Sequence, residues 1–197
     1  MNGEITNGDL RPKRRGIPWR PILWSIPVML LLLPALAMQF TSEVNWDVFD
    51  FIFATIMFGS VGLVIELTVR SSDIVAFRAA VGIAIAAAFL IIWINGAVGI
   101  IGDEDNPANL MFGAVLAVAL LGSTAALFRA PGMAIAMFAA AIVQLAVGVI
   151  AVAGDMASGP VAPYDVIGST GFLAGMWLVS GVLFRKAARE KASRLPR

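Results

Sequence analysis

Residues 77–107 read FRAAVGIAIAAAFLIIWINGAVGIIGDEDNP. A single cation, Arg78, stands near the head of this stretch and three acids, Asp103, Glu104 and Asp105, stand at its foot. The 24 residues between them, 79–102, carry no ionisable side chain. As a helix at about 1.5 Å per residue they reach about 36 Å, enough to cross a hydrocarbon layer about 30 Å thick. Basic on one side, acidic on the other and uncharged between is the pattern of one membrane crossing with its cation held in the cytoplasm.

Working outward, the same alternation recurs along the chain. The 14 Lys and Arg residues fall at Arg11, Lys13, Arg14, Arg15 and Arg20, at Arg70 and Arg78, at Arg129, and at Arg185, Lys186, Arg189, Lys191, Arg194 and Arg197. Between these groups lie apolar runs and connections without positive charge, which hold Glu43, Asp47, Asp103, Glu104, Asp105, Asp155 and Asp165. This predicts an all-α polytopic bundle of six transmembrane helices in three antiparallel hairpins, with both termini in the cytoplasm. The spans are expected at about 22–40, 48–69, 76–101, 108–128, 132–153 and 166–185. They form one transmembrane domain, 21–186, between a disordered basic tail at 1–20 and a second basic tail at 187–197. The composition agrees. The chain has 197 residues, is 59% hydrophobic and 14% charged, and has a mean hydropathy of +0.88. Soluble domains are about 25% charged.

The first span raises the question of a cleaved leader, since Ala35-Leu36-Ala37 has the small-x-small form of a cleavage site. Its apolar run is longer than the usual leader core of about 7–15 residues, so we read a retained span. Pro27 and Pro34 are expected to bend it. On the acidic side, Asp47 with Asp50, Asn106 before Pro107, and Asp165 after Pro163 read as helix starts.

Cysteine and histidine are absent. This removes thiolate chemistry, disulfides, His-ligated haem or zinc and Ser-His-Asp hydrolysis. Inside the spans the polar residues are few. Glu66 lies one turn from the basic end of span two and four residues before Arg70, spacing that allows a pair on one helix face. With Arg78 it reads as an interfacial cluster or, alternatively, as a proton or cation site. Asn95 and Gln144 lie deeper, at nearby levels if spans three and five are sisters, and read as interhelical glue or as the lining of a narrow polar path. Sisterhood is suggested by FRAAVGIAIA (77–86) against FRAPGMAIA (128–136). The Gly102–Pro107 acids match no Ca²⁺-loop spacing and read as a solvated loop. Small residues recur at four-residue spacing at Ala80, Ala84 and Ala88, at Gly113 and Ala117, at Ala136 and Ala140, and at Gly171 and Gly175. They are expected to let helices of this bundle approach closely.

The stretch 77–112, with Arg78-Ala-Ala-Val-Gly, Trp93-Ile-Asn95-Gly and Gly99-Ile-Ile-Gly-Asp-Glu-Asp-Asn-Pro-Ala-Asn109, resembles a family of small six-span bacterial inner-membrane proteins without an assigned activity. The likeness runs from about residue 45 to 129 and implies a location and a fold type. The expectation for function is therefore a non-catalytic inner-membrane protein, packing in a membrane complex or as a homo-oligomer. The alternative is a small transporter or channel using Glu66, Asn95 and Gln144. Expected partners are the bilayer, anionic lipids at the basic tails, and a membrane protein or a second copy. No cofactor, metal or nucleic acid is expected.

Overall fold

The computed structural model describes residues 19–157 and 162–194. The expectations for the N-terminal tail up to residue 18 and for residues 195–197 lie outside these. The described residues form six long helices and no strand: α1 Trp19–Ala37, α2 Val48–Ser71, α3 Val75–Ala97, α4 Phe112–Ala125, α5 Ala130–Ala153 and α6 Pro163–Ser193. A 3-10 turn, Pro107–Met111, leads into α4, and all six helices are long and apolar enough to cross a membrane. Helix α6 continues to Ser193, so most of the segment expected as a tail from residue 187 is helical. The run Arg185-Lys-Ala-Ala-Arg-Glu-Lys-Ala-Ser193 holds good helix formers and no Gly or Pro to stop it.

The chain divides into two compact units, one up to Phe58 and one from Gly59 onward. The first contains α1, with Pro27 and Pro34 inside it, and the start of α2. Asp47 sets that start. Its Oδ1 accepts the backbone N–H groups of Phe49 and Asp50, while Asp50 Oδ2 accepts the N–H of Asp47. The two acids form a reciprocal cap, and Trp46 packs edge-on against Phe51, 5.3 Å between ring centres, as a hydrophobic staple across it.

In the second unit α3 packs mainly on α6, α6 on α5, and α5 on α4. The expected pairing of spans three and four is therefore not a main packing contact. Alanines on α3 explain the preference. Ala76, Ala80 and Ala87 are buried, and Ser180 on α6 comes close enough for its Oγ to donate to the Ala80 carbonyl at 2.8 Å. One turn nearer the basic end, Phe77 meets Phe184 edge-on. Helices α5 and α6 approach through missing side chains. A Cβ at Gly148 would lie 2.6 Å from Thr170 Oγ1, and one at Gly181 would lie 2.8 Å from Phe138. These contacts run in opposite chain order, so both helix pairs are antiparallel.

The core is small-residue packing around a few large side chains, with Trp177, Phe112, Phe184 and Ile91 almost fully buried. In lipid no hydrophobic drive pulls helices together, so stability rests on close contact and buried hydrogen bonds. Gly148→Val forces a branched side chain into Thr170 and is expected to cost about 1–3 kcal/mol, read as an earlier loss of helicity in a detergent-denaturation titration. An unchanged midpoint contradicts the α5/α6 register.

Candidate functional site

The charged groups of the second unit separate into two ends. The turn from α2 into α3 brings Arg70 and Arg78 to the same end as the α4–α5 turn with Arg129 and the last turns of α6 with Arg185 and Arg189, as the Phe77–Phe184 contact and the groove shared by Pro131 and Arg189 require. At the opposite end, Asn106 Nδ2 donates to the Met156 carbonyl at 2.9 Å and ties the acidic 98–106 loop to the connection after α5.

At the basic end, Glu66 is buried to 7% exposure and is ion-paired with Arg70 of its own helix. The pair is i, i+4 in the favourable acid-first order, with the Arg70 side chain half exposed. Arg78 does a different job. Its Nε donates to the Ser72 carbonyl at 2.6 Å and an Nη2 donates to the Val69 carbonyl at 2.9 Å, while its contact with exposed Asp73 is long at 3.4 Å. The guanidinium thus satisfies carbonyls left over at the α2 C-terminus, where the helix dipole favours positive charge. The fork geometry lets one side chain serve two acceptors. Arg129 is exposed at the head of α5. The repeat suggested by 77–86 and 128–136 therefore does not extend to roles. Phe77 packs on Phe184, whereas Phe128 is exposed with a positive φ of 55°.

The acidic end is organised by a residue that the sequence reading passed over. Asn109 is buried, and its Oδ1 accepts the N–H groups of Ile100 and Ile101 at 3.1 and 2.9 Å. Its Nδ2 donates to the carbonyls of Ile101 and Asp103 at 3.2 and 2.7 Å. The loop bends around it through Gly99 and Gly102, both at φ 74°, a conformation costly for any residue with a Cβ. The available signal was two glycines three apart, followed by Asn-Pro and a further Asn. Asn106 caps the 3-10 turn by accepting from Ala108 N–H, as its place before Pro107 predicts, and Asp165 Oδ2 accepts the Ala162 N–H at the start of α6. Asp103, Glu104 and Asp105 all face solvent, and among the described residues no three acids gather around a common point.

The two deep amides do not meet. Asn95 Nδ2 donates to the Ile91 carbonyl of its own helix at 2.7 Å, and its Oδ1 has no partner. Gln144 is fully buried, and neither of its amide atoms has a partner. The contacts Ala80–Ser180 and Gly148–Thr170 fix the register of the three helices. They place Asn95 beside the start of α6 and about 13 Å along the axis from Gln144. The expectation of one level fails because α3 and α5 are aligned through α6, not as sisters. The near neighbour of Gln144 in level is Trp177, within about 5 Å along the axis. Trp177 is also buried, with its indole N–H unpaired.

The small-residue spacings divide likewise. Ala80, Ala136 and Ala140 face inward and are buried, as expected. Gly113, Gly171 and Gly175 do not pack inside the bundle, and a Cβ at any of them meets nothing within 4 Å.

The chain matches no family model, and comparisons with curated proteins and with solved structures likewise find no match.

A buried amide making four backbone bonds and one making none should respond oppositely to removal. Asn109→Ala is expected to lose about 2–4 kcal/mol of unfolding free energy. Gln144→Leu, which removes unpaired polarity at similar volume, is expected to be neutral or stabilising. Denaturation titrations of the two variants check both, and a clear loss in Gln144→Leu would show that the amide has a partner.

Proposed function

We propose that this chain is a non-catalytic, multi-pass protein of the bacterial inner membrane that associates through its helices, most directly with a second copy of itself. The threading supported best is six crossings in three up-and-down pairs with both termini in the cytoplasm. The basic end, with Arg70, Arg78, Arg129, Arg185 and Arg189, is then the cytoplasmic one.

The observation that carries the association reading is the outer face of α6. Gly168 and Gly171 are exposed and Gly175 is half-buried, at i, i+3 and i+7, and open space lies over each of them. In a helix surrounded by lipid, glycine is a costly choice, since it weakens the helix and packs nothing. Its use on a lipid-facing stripe is to let another helix backbone come close, where dispersion and Cα–H contacts accumulate without hydrophobic drive.

The transporter reading has less support. Glu66 is ion-paired at the basic end, Asn95 bonds its own helix, and Gln144 is enclosed by core side chains about 13 Å away along the axis from Asn95. A polar path needs its groups in sequence along one water-accessible route.

Energy transfer between copies carrying different fluorophores, reconstituted in liposomes, separates the readings. Gly171→Leu is expected to abolish the transfer and leave thermal unfolding of the single chain unchanged. Glu66→Gln is expected to leave ion leakage through the liposomes at the level of the parent chain. Undiminished transfer in Gly171→Leu counts against the α6 face, and a flux that Glu66→Gln removes counts for transport.

A further inference from the structure

A groove of about 450 Å³ lies at the basic end between the head of α5 and the last turns of α6. Its apolar lining comes from Pro131, Ala134, Ile135 and Phe138 on α5, and its charged edge from Arg185 and Arg189 on α6. The two arginines are i, i+4, so they stand one above the other on a single helix face. Both are exposed, and among the described residues neither is ion-paired or hydrogen-bonded through its side chain. This differs from Arg70 and Arg78, whose guanidiniums are engaged by Glu66 and by backbone carbonyls.

We propose that this groove binds the headgroup of an anionic phospholipid, with the phosphodiester held by Arg185 and Arg189 and the glycerol and first acyl carbons lying along Ile135 and Phe138. Three features select that occupant. Two guanidiniums that line one groove and are not engaged elsewhere among the described residues suit a phosphate. An apolar wall continuous with the lipid-facing surface of α5, where Ile135 and Ile142 are exposed, suits an acyl chain and has no use for a free inorganic anion. No carboxylate lines the groove, so nothing receives the ammonium of a zwitterionic headgroup, which leaves net negative lipids favoured. The site lies where α5 emerges from its apolar run, the level of the phosphate layer.

The groove is distinct from general attraction by the basic C-terminal segment. Lys186 and Lys191 carry equal charge on the same helix, and neither lines it. The full-length protein in a neutral detergent is titrated with phosphatidylglycerol, with phosphatidylcholine and with free glycerol phosphate, and adducts are counted by native mass spectrometry. Phosphatidylglycerol is expected to be retained about tenfold over phosphatidylcholine, with glycerol phosphate scarcely retained. R185Q/R189Q and Ile135→Trp, which crowds the apolar wall with both charges intact, should each lose the preference, and the charge-matched K186Q/K191Q should keep it. Equal losses in the two double variants, full retention in Ile135→Trp, or glycerol phosphate binding as well as the lipid would each overturn the proposal. Should R185Q/R189Q not fold, Ile135→Trp decides. None of these readouts depends on whether two copies associate.

Discussion

Hydrocarbon offers no hydrogen-bond partner, and this constraint shapes every part of the molecule. A chain with six long apolar segments must satisfy its backbone inside each one, so each is a helix. It must also place charge where water begins. The consequence is chemistry concentrated at the two ends. Arg78 works at one of them, closing the open carbonyls of α2, and Asn109 works at the other, holding a glycine-hinged loop by four backbone bonds. Between them alanine and glycine contacts bring the helices of the second unit together, and Ser180 donates a hydrogen bond across to α3.

Features set by local rules could be read from the sequence. Helix number, the approximate span limits apart from the far end of α6, the Asp47, Asn106 and Asp165 caps and the Glu66–Arg70 pair follow from runs, spacings and end chemistry that involve at most a few neighbouring positions. What depends on which helix lies beside which was not legible. Alanine, valine and glycine occur on every face, so composition does not tell that Ala80 faces inward while Gly171 faces outward. The same gap explains why the sequence puts Asn95 and Gln144 at nearby levels. Their level depends on a register set through α6, with Ser180 and Thr170 as the contact residues, and neither carries a signal of that role. Asn109 was missed for a different reason. A small amide next to a conspicuous acidic run draws no notice, though it is the amide that is buried and the acids that are not.

The functional reading follows from how the polar groups are used. A transport path spends its buried polarity along one route, whereas here Glu66 is paired with Arg70, Arg78 closes the end of α2 and the two deep amides stand apart. What the bundle leaves unused is on its outside: a glycine face on α6 open to another helix, and two unpaired arginines beside an apolar groove at the basic end. In the reading proposed above, the first receives a helix and the second a lipid.

The proposed arrangement of charge about the membrane underlies all of this, and the absence of cysteine makes it directly measurable. Single cysteines at Ser71, Leu127 and Glu104 are labelled in intact cells with a membrane-impermeant maleimide, before and after the membrane is opened. The account predicts that Glu104→Cys reacts in intact cells and that Ser71→Cys and Leu127→Cys react only once the membrane is opened. Labelling of Ser71→Cys or Leu127→Cys from outside would contradict it.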